Sequence, residues 1–236
     1  MDQKFDFKDL FVLDMANNHQ GDVKHGLNIV RSFAKVVKDR KARAALKFQF
    51  RQLETFIHPD HQKNSDHKQV QRFMSTRLLR DKYQMLLDEV RAQGLVSMCT
   101  PFDEASVDVI CDMDFDIIKV ASCSGKDWPL LEKVANAGKP VIFSTGGLTI
   151  RDIDNLVSFF HHRGVHFAIM HCVAIYPTPD QNMNLQQIIA AKPTDEWDES
   201  LGKVWIKPAQ FVTFIYNSLE DIHHYTPPAT VEAETE

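Results

Sequence analysis

Apolar residues in this 236-residue chain fall into short dense runs separated by longer stretches with helical spacing. Six runs read as buried strands whose C-terminal ends turn polar or charged: FVLDMANNH from Phe11, ALKFQF from Ala45, LVSMCTPF from Leu95, FDIIKVASCS from Phe115, PVIFSTGG from Pro140 and HFAIMHCVAIYPTP from His166. Between them the apolar positions recur at helical intervals. Residues 23–38 set Leu27, Val30, Phe33, Ala34 and Val37 on one face, after the turn-forming Gly21 and Asp22. Residues 76–92 turn Leu79, Tyr83, Leu86, Leu87 and Val90 inward, and Gly94 supplies a stop. Further helices are predicted over 104–113, 128–137 and 150–162.

Strand and helix alternating at this spacing mean parallel pairing through right-handed crossovers. The predicted fold is therefore α/β, a TIM (β/α)8-type barrel that is incomplete, with about six clear β/α units. In such a barrel the C-terminal strand ends surround one mouth, so residues far apart in sequence meet one ligand. The barrel portion is expected over residues 1–192. A divergent segment follows over 193–225, with one strand candidate at 204–206 and one helix, and a disordered tail is expected over 226–236.

Residues 56–75 break the rhythm with HPDHQKNSDHKQ, which is polar, unpatterned and rich in histidine. His58 and His61 sit on no predicted rigid element, and no carboxylate spacing completes a metal site around them. A solvated or substrate-covering loop is expected.

Composition narrows the classes. A net charge of −5 gives no overall electrostatic case for nucleic acid. No window has the length and polarity of a membrane span, and the start MDQKFDFKDL is too charged for a signal peptide, so a cytoplasmic protein is expected. Cys99, Cys111, Cys123 and Cys172 lie far apart without zinc spacing, and small buried thiols account for them best.

The chemistry gathers at the strand ends: Asp14, Asn17, Asn18 and His19; Lys47 and Gln49; Thr100; Lys119 and Ser122; Ser144 and Thr145; His171 and Tyr176. Two lysines among several hydroxyls suit a small, multiply charged anion, because apolar surroundings strengthen both point charges and directed donors. A lysine inside AALKFQF or FDIIKVAS is costly unless it faces a pocket or pairs with a carboxylate, and Asp14 and Asp116 are the candidate partners. Thr100, Ser122 and Ser144 could equally cap the helices that follow them. Asp14 either meets a polar substrate or neutralises a lysine.

With these segments in view, the chain resembles the sialic acid synthase family, the phosphoenolpyruvate-dependent enzymes that build N-acetylneuraminate and related nine-carbon sugars. The matching stretches are NNHQGD at 17–22, LKFQ at 46–49, CTPFD at 99–103, IIKVAS at 117–122, PVIFSTGG at 140–147 and HCVAIYPTP at 171–179. The resemblance implies a TIM barrel and a transferase of sialic acid biosynthesis. It implies that Lys47 and Lys119 bind phosphoenolpyruvate, that Thr100, Ser122 and Ser144 contact it, and that Tyr176 lines the amino-sugar site; Asp14 joins the two lysines as a catalytic candidate. Asn18, Gln49 and His171 complete the expected substrate-binding set. The implied reaction joins C3 of phosphoenolpyruvate to the aldehyde of an N-acetylated sugar such as N-acetylmannosamine. A divalent metal, Mn²⁺ or Mg²⁺, is implied to polarise that aldehyde. The family's two metal histidines have no matching residues after Asn184, so no metal ligand is assigned. A homodimer is left open by the resemblance.

Departures from the family pattern fall on the acceptor side. Asp14 stands where the family has a glutamate, Ser124 replaces a glutamate suited to acid/base work, and Ala174 replaces an asparagine. A noncatalytic phosphoenolpyruvate-binding or interaction module and a 3-deoxy sugar acid synthase are the competing expectations.

Overall fold

The structure, a computed structural model, describes residues 4–62, 66–175, 179 and 182. The first of its two units is Met1–Cys172. The first contains six parallel strands: β1 (Leu10–Asp14), β2 (Arg43–Phe50), β3 (Val96–Pro101), β4 (Ile117–Val120), β5 (Val141–Ser144) and β6 (Phe167–Met170). They pair in chain order, β1-β2-β3-β4-β5-β6. This is the TIM-barrel type of α/β fold expected from the sequence, represented among the described residues by six strands. The sequence regions assigned to a divergent segment and a tail, 193–225 and 226–236, lie outside the described residues.

Alternation along each strand sends side chains to opposite faces. One set, including Ala44, Leu46, Phe48, Phe50, Cys99, Ile118, Val120, Val141 and Phe143, forms the larger core with the helices. Ala45, Met98, Ile117 and Ile142 form a second core on the other face, joined by Leu10, Val12, Val96, Ala168 and Met170. Each fully buried Leu, Ile or Phe in these layers contributes roughly 1.5–3 kcal/mol of burial free energy. Being apolar on both faces is why the strands read as continuous runs rather than as alternating patterns.

The helices largely follow the predicted periodicity. α1 (Val23–Asp39) starts where the Asp22 carboxylate accepts from the backbone N–H groups of Lys24 and His25. The connection after β2 differs from expectation. Instead of an unpatterned loop it carries three short helices: α2 (Leu53–Phe56), α3 (Pro59–Gln62) and α4 (Lys68–Ser75). Phe56 and Phe73 meet across it with ring centroids 5.9 Å apart, and that packing organises a segment too polar to show a stripe. The next helix, α5 (Arg80–Ala92), begins later than predicted. Leu79 is its N-cap and is 60% exposed, not inward as expected.

α6 (Glu104–Asp112), α7 (Trp128–Ala135) and α8 (Ile150–His162) complete the described set, and Thr149 and Asp152 form a capping box at the start of α8. α1 approaches α5 closely because Gly26 has no side chain; a Cβ there would lie 2.9 Å from a Leu86 methyl group.

The turn after β1 buries His19 completely. Its Nδ1 accepts from the Gly21 backbone N–H at 3.1 Å, so Nε2 carries the proton and faces the Tyr83 hydroxyl at 3.3 Å. Tyr83 in turn donates to the Gln49 carbonyl at 3.4 Å. Burial, helped by the neighbouring His25, lowers the His19 pKa to about 4. His19 is thus a neutral structural link between β1, β2 and α5. Between pH about 6.5 and about 4 the unfolded chain takes up a proton that the folded chain refuses, so stability falls as pH falls through that window. The loss amounts to about 3 kcal/mol. Replacing His19→Gln should lower stability at pH 7 yet reduce its further loss at pH 4.5 in urea denaturation. An acid loss equal to that of the unaltered chain would remove His19 as its source.

Candidate anion-binding site

The second face of the sheet changes character toward the C-terminal strand ends. Past the apolar layer of Ala45, Met98, Ile117 and Ile142, the same alternation brings up Asp14, Lys47, Gln49, Thr100, Lys119 and Ser144. Strand register holds them together: Asp14 pairs with Lys47 and Gln49 with Thr100. The β3–β4 register, carried one residue further, sets Thr100 beside Lys119.

Lys119 is only 5% exposed. Its Nζ donates to the Ser144 hydroxyl at 2.6 Å and to the Val120 carbonyl at 2.8 Å, and among the described residues no carboxylate lies within ion-pair distance. Burial, reinforced by the nearby positive charge of Lys47, lowers its pKa to about 8. Lys47, 9% exposed, forms an ion pair with Asp14 at 2.9 Å. Of the two carboxylates considered for the lysines, Asp14 is therefore the partner of Lys47. Asp116 instead accepts from the backbone N–H and hydroxyl of Ser97, at 2.8 and 2.7 Å.

Thr100 is 2% exposed, and its buried hydroxyl has no hydrogen-bond partner among the described residues. An orphaned hydroxyl beside a buried ammonium is the polar arrangement an incoming anion can satisfy. Ser122 opens the 3-10 turn Ser122–Ser124 after β4 and is half-buried, its carbonyl accepting from the Gly125 N–H at 3.1 Å. Thr145 ties β5 to β6, its N–H and hydroxyl both reaching the Met170 carbonyl, at 3.2 and 3.4 Å. In the loop that follows, the Gly146 N–H donates to Cys172 Sγ at 3.1 Å.

The acceptor-side residues are less converged. Asn18 is exposed and closes a turn through its N–H to the Met15 carbonyl at 2.8 Å, and His171 is exposed. Tyr176 lies outside the described residues. His58 and His61 are exposed, with ring centroids 6.4 Å apart. Among the described residues no three or more His, Cys, Asp or Glu side chains gather where they could hold a metal ion. The described residues thus supply no metal centre, and no chemical step is assigned to one. Cys99 is fully buried, and burial raises its thiol pKa well above the usual value, which suits packing rather than nucleophilic chemistry.

Arg51, just beyond β2, drew no notice in the sequence, yet its guanidinium sits 3.8 Å from the Phe102 ring centroid and 4.5 Å from that of Phe73. An arginine on the same strand parity as Lys47 and Gln49 was the available signal. Asp103 was also missed: its carboxylate caps α6 through Ser106 N–H at 2.7 Å and holds the Gln52 N–H at 2.8 Å.

A parallel TIM-type sheet with two lysines and several hydroxyls at its strand ends places the chain in the barrel class of α/β folds. Within that class, the NeuB family model matches residues 35–194, and the chain belongs to the NeuB family. It is 34% identical over 191 residues to an uncharacterised protein of Methanocaldococcus jannaschii, covering 78% of this chain and 53% of that one. It is 27% identical over 185 residues to the N-acetylneuraminate-9-phosphate synthase of Drosophila melanogaster, covering 75% and 48%. A crystal structure of a spore coat polysaccharide biosynthesis protein E homologue from Chromobacterium violaceum superposes with a TM-score of 0.75 at 34% identity, covering 97% of this chain and 79% of that one. The chain spans about half the length of the curated relatives it matches. Among the described residues no helix is long and apolar enough to cross a membrane.

The buried ammonium of Lys119 carries a stability consequence. Its folded pKa, about 8, lies below the ordinary 10.5, so the penalty is fully present below pH 8 and is relieved as pH rises from there toward 10.5. Lys119→Met should therefore stabilise the unliganded chain at pH 7 by up to about 3 kcal/mol. Denaturation midpoints at pH 7 and pH 10 check this, with the advantage shrinking at the higher pH. A variant less stable than the parent at pH 7 would show that Lys119 is structurally required.

Proposed function

We propose that the chain binds phosphoenolpyruvate across Lys47, Lys119, Thr100, Ser122 and Ser144, and condenses it with an N-acetylated amino sugar to a nonulosonic acid. The observation that carries this reading is Lys119: a buried ammonium paired, among the described residues, with one hydroxyl and one carbonyl, beside a second ammonium. Placing two like charges together under apolar strands costs free energy that an anion carrying phosphate and carboxylate offsets. Membership in the NeuB family and the likeness to an N-acetylneuraminate-9-phosphate synthase support the reaction class.

In this reading Lys47 and Lys119 hold the phosphate and carboxylate, and the hydroxyls of Thr100, Ser122 and Ser144 orient them. C3 of phosphoenolpyruvate forms a bond to the acceptor aldehyde carbon, whose oxygen takes up a proton. Positive charge develops at C2, where water adds and loses a proton. Phosphate then leaves from C2 by C–O cleavage, and the carbonyl of the product forms. Asp14 holds Lys47 in place, Gln49 faces the acceptor, and Tyr176, outside the described residues, is assigned to the acceptor in this proposal. A divalent ion, for which the described residues offer no ligand set, would supply polarisation of the aldehyde if bound, and assembly into a homodimer is also part of this proposal.

Calorimetric titration with phosphoenolpyruvate tests the site directly. Lys47→Met and Lys119→Met should each weaken binding at least tenfold. Affinity of the unaltered chain should fall as pH rises past about 8, because the anion needs Lys119 protonated. Phosphate release should require phosphoenolpyruvate, an N-acetylated amino sugar and Mn²⁺ or Mg²⁺ together. Unchanged binding in both lysine variants would sink the site assignment, and intact binding without turnover on any acceptor would favour a binding module.

A further inference from the structure

Among the described residues Lys119 Nζ has two hydrogen-bond partners, and both accept its protons: the Ser144 hydroxyl at 2.6 Å and the Val120 carbonyl at 2.8 Å. A neutral lysine amine has two N–H bonds and one lone pair. Those partners take up both hydrogens and leave the lone pair unused. An ammonium in the same place keeps a third N–H without an acceptor among the described residues, on a side chain that burial largely withholds from water. The local hydrogen bonding therefore accommodates a free amine at least as well as a charged one.

The electrostatics favour the same form. Burial lowers the Lys119 pKa to about 8 and the ammonium of Lys47 adds to the effect, while Cys172, Asp14 and Cys123 act the other way. These are the titratable groups whose charge bears on it, from β2, the chain after β6, β1 and the turn after β4. At pH 7 roughly one Lys119 in ten is then a free amine, about 300-fold more than for a lysine of ordinary pKa. A desolvated lysine beside another cation is the arrangement that makes an amine nucleophilic toward a carbonyl carbon near neutral pH.

We propose that Lys119 captures small 2-oxo acids covalently, as an imine that occupies the place of phosphoenolpyruvate. The inference rests on the reading above, in which Lys119 faces the bound ligand. The carboxylate of the 2-oxo acid is held by the Lys47 ammonium and by the orphaned hydroxyl of Thr100, which strand register sets beside Lys119. The Nζ lone pair bonds to the keto carbon while the carbonyl electron pair moves onto its oxygen. The two protons that nitrogen gives up pass to that oxygen through the Ser144 hydroxyl, and water leaves as the C=N bond forms. Amine and ketone thus become imine and water, with no oxidant or reductant consumed. Phosphoenolpyruvate has no keto carbon, so it binds without forming the adduct. The two ligands compete, yet they call on opposite protonation states of Lys119.

Equilibration of the full chain with pyruvate, followed by reduction with sodium borohydride, tests the proposal, because reduction turns an imine into a stable secondary amine. Intact-mass and peptide analysis at pH 7.5 should show one reduced pyruvate adduct, located at Lys119 and about tenfold or more above the level at any other lysine. The trapped fraction should be several-fold higher at pH 8 than at pH 6, since the free amine gains over that range. Saturating phosphoenolpyruvate should suppress the adduct, and Lys119→Arg, which keeps the charge, should abolish it. Lys47→Met should lower it several-fold by removing both the carboxylate anchor and the repulsion that frees the amine. Should Lys119→Arg fail to fold, the adduct's position and its suppression by phosphoenolpyruvate in the unaltered chain still decide the matter. Label spread evenly over the exposed lysines, label that persists in Lys119→Arg, or trapping indifferent to phosphoenolpyruvate overturns the capture. The two readings fail separately: phosphoenolpyruvate binding by calorimetry without any adduct removes the covalent capture alone, whereas absence of that binding removes the reading on which it rests.

Discussion

Lys119 is held in a place that an isolated ammonium avoids. It lies on an apolar sheet face, with one hydroxyl and one carbonyl for partners and the charge of Lys47 nearby. The surrounding layer of Ala45, Met98, Ile117 and Ile142 keeps the local dielectric low, so both the repulsion and any compensating attraction to an anion are enlarged. Asp14 pairs directly with Lys47 and acts on Lys119 only from beyond ion-pair distance. The sheet therefore holds positive potential without using it for its own packing, and the helix-side core supplies the burial free energy that tolerates it.

The parts of this arrangement legible in the sequence were those where a polar residue interrupts an otherwise apolar run. Lys47 within ALKFQF and Lys119 within FDIIKVAS stand out because a buried charge needs a reason, and their strands lie adjacent to the predicted neighbours. The fold class was readable for a related reason: six two-sided apolar strands separated by helical spacing leave few topologies. Pairing of Lys47 with Asp14 rather than Asp116 was not readable, because it depends on strand register.

The β2–α2 region resisted prediction for a different reason. Its order comes from a few aromatic rings and one arginine that meet in space, and such a cluster leaves no periodic trace along the chain. Phe56, Phe73 and Phe102 belong to three different segments, and only the fold brings them around Arg51. The same lack of local signal hid the role of His19, whose burial depends on Tyr83 from α5. It also misplaced Leu79, which fits the helical period but falls at the cap, one position before the helix begins.

The strand order equals the chain order, and this has a kinetic consequence. Among the described strands every pairing joins sequence neighbours separated by one crossover, so loop-closure entropy is met in modest, repeated increments rather than in one long-range step. Assembly of the sheet can thus proceed by adding one β/α unit to the next. The pairing of β1 with β2 brings Asp14 to Lys47, whereas Lys119 meets Ser144 only when β5 docks on β4. In a growing sheet the neutralised cation therefore comes first, and the unneutralised one is enclosed later, after the apolar layer beneath it has begun to form.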